Sequence, residues 1–221
     1  MPTIPPKPKR ERNPEETRRR ILDAAEVEFA RKGYDGTRLR DVALAVGVHH
    51  ALLHHYFKDK EGLFRSVLER AIGSVSSKAF ELLRTTGDIR ALTVSFVETL
   101  VSFLADNQRL ALILHFASLD EGSPAFTICE EIGFLLVKPL LDATTTAIKA
   151  GQQAGLLRED IDAQAIVIAG LGTVAFPFHS DQLIKSVFGR DPRSPAEVER
   201  HKRAAIALIL EGVTKRPVPA P

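Results

Sequence analysis

The chain has one cysteine, Cys129, among its 221 residues, which excludes an internal disulfide and points to a reducing compartment. No secretory signal is apparent, because the opening MPTIPPKPKR is polar and proline-rich and no apolar stretch follows its basic residues. The longest uncharged apolar run, Ala165 to Phe178, is short for a bilayer and contains Gly170, Gly172 and Pro177. It is expected to be a buried core helix rather than a membrane span. Alternating runs with hairpin chemistry are missing, which argues against strands. There is no internal repeat, no GxGxxG, no P-loop and no GxSxG. These absences leave a cytoplasmic all-α protein that is not expected to be an enzyme, to need a cofactor or to meet a membrane.

Charge of one sign is also scarce, with a net of +2, but it is unevenly placed. Residues 1–70 hold 15 Lys/Arg against 11 Asp/Glu, whereas the remainder holds 15 against 17. The first part also carries four of the seven histidines and a basic arm of Lys7, Lys9, Arg10 and Arg12. This is a modest footprint for nucleic acid; taken alone, such a run is a solvated terminus. The hydrophobic share of 44% and the length allow one large or two small domains with a real core.

Nearly every segment reads as helix. Residues 1–13 are expected to be a flexible arm. Asn13-Pro14-Glu15-Glu16 is a start signal, Ile21, Leu22, Ala25 and Phe29 recur at helical spacing, and Gly33 ends the run. Thr37 is placed to cap a second helix with Leu39, Val42, Ala43 and Val46 on one face, followed by Gly47. A third, short helix covers about His49 to Tyr56, and Asp59 caps a fourth bearing Leu63, Phe64, Val67, Leu68 and Ile72. Further on, one helix is expected from Ile89 to Leu104 and another from Gln108 to Leu119. Ser123-Pro124 opens a long helix to about Gly151, and Asp162 caps a helix ending near Pro177. Ser194-Pro195-Ala196-Glu197 reads as a capping box before a last helix with Ile206, Ile209, Leu210 and Val213 on one face.

Three short helices in about 45 residues, with a glycine-containing turn between the second and third, fit a helix-turn-helix. Ala43 lets the two helices approach, Gly47 permits the turn and Val48 plugs the contact. The pattern Gly33-Tyr34, Thr37, Asp41-Val42-Ala43, Val46-Gly47-Val48, Leu53, Tyr56-Phe57, Lys60-Glu61 and Leu63 resembles the signature of the tetracycline-repressor (TetR) family over about residues 15–65. The rest of the chain resembles that family only in helical layout and length.

The resemblance implies an N-terminal three-helix DNA-binding domain at 14–74 and a larger ligand-binding and dimerisation domain at 75–215. About nine helices are expected in all, with a disordered tail at 216–221. It implies that Thr37 caps the second helix and meets a phosphate, with Arg38 and Arg40 beside it. It makes His49 to Tyr56 the recognition helix, with His49, His50, Ala51, Leu52, His54 and His55 toward bases or phosphates. Tyr56 and Lys60 would each meet a phosphate. The sequence departs from the family where His49 replaces serine or threonine and where His54 replaces tyrosine.

In the second domain the resemblance implies an effector cavity, with Phe96, Phe103, His115, Phe116, Phe126, Cys129 and Phe176 as candidate lining for a mostly apolar ligand. It also implies a homodimer through the last two long helices, using Ala169, Gly170, Gly172, Ile206, Ile209, Leu210 and Val213. An intramolecular core explains the same apolar stripe. The partners expected are thus a palindromic operator, a small effector and a second copy, with ligand-released repression as the function. A helical enzyme or interaction scaffold is the alternative class. His50 and His54 stand at metal-ligand spacing, but Ala51 follows His50 where the zinc-protease motif needs glutamate. No metal is therefore expected there.

Overall fold

The computed structural model describes residues 13–85 and 88–214; the basic arm before Asn13 and the tail at 216–221 lie outside them. The described residues form α1 (Pro14–Gly36), α2 (Leu39–Val46), α3 (His50–Phe57), α4 (Lys60–Thr85), α5 (Ile89–Asp106) and α6 (Gln108–Ser118). They continue as α7 (Pro124–Ile132), a π-helical turn (Gly133–Val137), α8 (Lys138–Gln153), α9 (Ala163–His179), α10 (Asp181–Phe188) and α11 (Pro195–Val213). The all-α expectation holds, with α10 an additional short helix. Among the described residues no single helix is long and apolar enough to cross a membrane.

Local chemistry explains most boundaries. Asn13 Oδ1 accepts from the amides of Glu15 and Glu16, and Gly33 breaks α1 at φ 69°, a left-handed conformation that favours glycine. Asp59 Oδ1 accepts from Gly62 N at 2.8 Å, and Asp162 Oδ1 from Ala165 N at 2.9 Å. Two expected caps are corrected. Ser194 donates its hydroxyl to Asp191 O, and Glu197 is taken by Arg190 and Arg200, so no capping box forms. Thr37 closes α1 instead of opening α2: its hydroxyl donates to Gly33 O at 2.8 Å, and it is 1% exposed.

The helix expected from Pro124 to Gly151 runs on to Gln153, but with a π turn inside it. Pro139 accounts for the turn. It has no amide to donate to Leu135 O, and its ring crowds that carbonyl. Lys138 N reaches five residues back to Gly133 O instead. Pro177, expected to end its helix, lies inside α9, which continues to His179.

The core is not divided at residue 74, which falls in the middle of α4. Ile21, Phe29, Val42, Leu53 and Phe64 of the first four helices share one cluster with Leu110, Ile113, Ile128 and Ile132 of α6 and α7. A second cluster joins α5, α9 and α11 through Val97, Val101, Val174, Phe178 and Ala205. A third joins α8 and α9 through Ile148, Leu157 and Ile166.

Candidate functional site

Helix α3 is held by two buried side chains, Leu53 and Phe57, and turns the rest of its surface outward. His49, His50, Ala51, His54 and His55 are exposed, while Leu52 and Tyr56 are half-buried. The bracing helix α2 buries Val42, Ala43 and Val46. Gly47 takes the left-handed conformation at φ 71°, and Val48 N donates to Ala43 O at 3.0 Å. That closes α2 and lets α3 leave at an angle. Arg38 and Arg40 stand exposed beside this corner.

Several groups that fix this geometry were not singled out by sequence. Arg20 of α1 donates to Val46 O at 2.8 Å and caps the end of α2. Lys32 bridges Glu28 of its own helix and Asp41 of α2. This pairing holds the Asp41 carboxyl below the usual range and raises the Lys32 ammonium. At the far end of α3, Lys58 sits at φ 67° and ψ −58° while Asp59 N donates to Phe57 O at 2.8 Å. This is the strained form of the γ-turn. Gly62 completes the corner, because a Cβ there would lie 2.1 Å from Phe57 O. A glycine in the first turn of a helix was the only available signal.

The two unusual histidines have local partners. His49 Nδ1 accepts from Ala51 N at 3.3 Å, so His49 caps α3 in place of a hydroxyl. His54 Nδ1 lies 2.7 Å from Lys58 O. Lys60, expected against a phosphate, rests its ammonium 4.2 Å from the centre of the Tyr34 ring and donates to Asp35 O at 3.3 Å. Burial lowers its pKa. Burial, aided by the Glu61 charge, pushes Tyr34 up to about 12. The buried Thr37 hydroxyl leaves no side-chain surface for a phosphate.

An apolar cavity lies among α4, α5, α8, α9 and α11, walled by residues such as Leu82, Phe96, Ile148, Ile166 and Ile209. Among the described residues no charged side chain lines it, and Thr144 in its wall donates to Leu140 O. Its free volume is about 90 Å³, below the roughly 300–1,000 Å³ usual for drug-sized ligands.

Of the seven aromatic and polar candidates for the lining, the structure brings only Phe96 to this cavity. Phe103 borders a polar groove between α4 and α5, and His115 a small pocket beside His179 and Arg193. Phe116 is exposed near Gly33. Phe126 and Cys129 are half-buried on α7, with Cys129 against the core of the first helices. Phe176 is exposed on α9. Phenylalanine spacing does not say which face of a helix meets a cavity, and this one is walled mainly by aliphatic side chains.

The candidate interface residues divide as well. Leu210 is buried, Ile206 and Ile209 pack into the α5–α9–α11 core, and Gly170, Ile209 and Val213 face the cavity. Ala169 and Gly172 remain exposed. The outward apolar surface of these helices consists instead of Ile168 (70% exposed), Phe176 and Leu208 (66% exposed). Ile168, Gly172 and Phe176 share one face of α9 by their spacing of four.

Residues 21–67 match the model of bacterial regulatory proteins of the tetR family, and residues 94–209 match that of the tetracyclin repressor-like C-terminal domain. Over 197 residues the chain is 24% identical to the transcriptional repressor KstR2 of Rhodococcus jostii, covering 89% of this chain and 90% of the relative. The solved structure of FadR from Bacillus subtilis, in complex with stearoyl-CoA, superposes with a TM-score of 0.70 at 18% identity, covering 88% and 98% of the two chains. That of the ketosteroid regulator KstR2 of Mycobacterium tuberculosis gives 0.65 at 20% identity, covering 90% and 95%.

Proposed function

Because this chain belongs to the tetR family of bacterial regulatory proteins, we propose that it acts as a homodimeric repressor whose operator is released when an apolar effector enters the α4–α5–α8–α9–α11 cavity. The chain is a DNA-binding transcriptional regulator. The observation that carries the repressor reading is the outward surface of α3, four exposed residues and the exposed cap His49 held over the buried Leu53 and Phe57.

Two copies related by a two-fold axis would present two α3 helices to half-sites about one helical turn apart. The outward faces of α9 and α11, with Ile168, Phe176 and Leu208, supply the self-complementary surface. The uncharged cavity favours an effector whose buried part is an aliphatic or acyl group, in keeping with the stearoyl-CoA of the Bacillus subtilis relative. A buried carboxylate would find no cation there. An acyl chain of that length exceeds the free volume, so its entry parts the helices.

Helix α4 transmits the change. Ala79 and Leu82 wall the cavity, while Leu63, Phe64 and Leu68 of the same helix belong to the core under α3. At 1.5 Å per residue, Lys60 and Ala79 are about 28 Å apart, so a tilt of about 5° moves one end by roughly 2.5 Å. A nearly complete switch needs about 5.5 kcal/mol of differential affinity between the two states.

The test is selection from a random DNA pool on the purified protein, followed by binding of the enriched site at several salt concentrations. A palindrome should be enriched, with affinity falling steeply with salt and weakened about tenfold or more by His50→Ala. If no sequence is enriched and binding is indifferent to salt, the reading fails.

A further inference from the structure

The four histidines of the α3 segment do not share one task. His49 is spent on capping, and His55 lies against Tyr56. His50 and His54, one turn apart, bring their rings to a centroid separation of 4.6 Å at 75°. Both are exposed. The Lys58 carbonyl 2.7 Å from His54 Nδ1 can only accept, which in the neutral ring favours the tautomer with the proton on Nδ1 and the lone pair on Nε2. A backbone carbonyl behind the imidazole is the usual orienting partner of a metal-ligating histidine.

The ring spacing fits a shared cation. With a metal–nitrogen bond of about 2.0–2.1 Å and a ring radius of about 1.15 Å, each centroid stands about 3.2 Å from the metal. Two such ligands subtending about 90–110° have centroids about 4.5–5.2 Å apart. The observed 4.6 Å lies in that interval, and rotation about the side-chain bonds of these exposed rings would turn one nitrogen of each toward a shared ion. No cluster of three or more histidine, cysteine or carboxylate side chains occurs among the described residues, so water would complete the shell and the ion would exchange readily.

We propose that His50 and His54 form a two-imidazole site for a divalent first-row transition metal of the nickel, copper or zinc type on the DNA-reading face of α3. Imidazole pairs select these borderline cations over magnesium and calcium, which prefer oxygen. The hydrated ion occupies the surface that would meet the major groove, so metal and operator exclude each other. This coupling rests on the DNA-reading role of α3; metal uptake itself does not.

Calorimetric titration of the untagged full-length chain with Ni²⁺ at pH 7.5, without DNA, is the test. One ion per chain should depend on His50 and His54, with His50→Ala or His54→Ala lowering affinity at least about tenfold. His55→Ala, off that face, should leave uptake unchanged. Uptake at the original affinity in either the His50 or the His54 variant overturns the site. The titration is then repeated with the enriched operator bound. Operator should weaken Ni²⁺ binding by the same factor as Ni²⁺ weakens operator binding. Unchanged Ni²⁺ binding on an operator-saturated protein overturns the mutual exclusion while leaving DNA reading intact.

Discussion

Gly62 shows how one missing Cβ positions α3. A methyl group there would stand 2.1 Å from the Phe57 carbonyl oxygen, a backbone atom that cannot swing aside as a side chain would. Gly62→Ala is therefore expected to cost at least about 2 kcal/mol and to disturb the α3–α4 corner. Urea unfolding measures it, and an unaltered midpoint would show that the corner relaxes freely. Cys129 is the opposite case, a residue whose chemistry is suppressed by its place. Burial pushes its thiol up to about 11, so the reactive thiolate is rare at neutral pH. Labelling with a disulfide reagent should be slow at pH 7.5 and accelerate on approach to pH 11. Rapid labelling at neutral pH would show that the Cys129 thiol is reactive in place.

At the scale of elements, Arg193 acts as a staple. It precedes α11 and is nearly buried, at 12% side-chain exposure. It donates to Leu104 O and Ala105 O at the end of α5 and to Phe178 O near the end of α9. Its plane also lies over the Phe178 ring. The pairing with Asp181 is loose: Nε and Oδ2 are 3.8 Å apart, and neither has a hydrogen-bond partner among the described residues. The value of Arg193 thus lies in the carbonyls it caps more than in the ion pair. Arg193→Met keeps the length and apolar body but orphans the three carbonyls, and should cost about 3 kcal/mol or more. A loss under about 1 kcal/mol would show that water replaces the guanidinium.

At the scale of the molecule, the helix-turn-helix is continuous with the helices that follow it, since α6 and α7 contribute to the same core as α1 to α4. In the proposed switch, a displaced cavity wall therefore acts on a packed unit. The proposed homodimer uses the opposite surface. Ile168→Glu places a charge on the outward face of α9 without entering the chain's own core, because Ile168 is 70% exposed. Light scattering at micromolar concentration should show a dimer for the parent and a monomer for the variant. An equally stable dimer would place the interface elsewhere.

Helix periodicity, the caps at Asn13, Asp59 and Asp162, and the glycines at 33 and 47 were sufficient by themselves to determine an all-α chain with a helix-turn-helix near its start. These are local effects, in which a few neighbouring residues satisfy the backbone or permit its turns. The tertiary structure decided which face each helix presents. Ile209 and Val213 turned inward toward the cavity, Ile168 and Leu208 turned outward, and Phe103, Phe116 and Phe176 went to three different places. A nearly uniformly apolar helix such as α9 carries no contrast between its faces, so only its neighbours orient it. Arg193 likewise gains its role from carbonyls 88 and 89 positions away, a distance over which spacing along the chain holds no information.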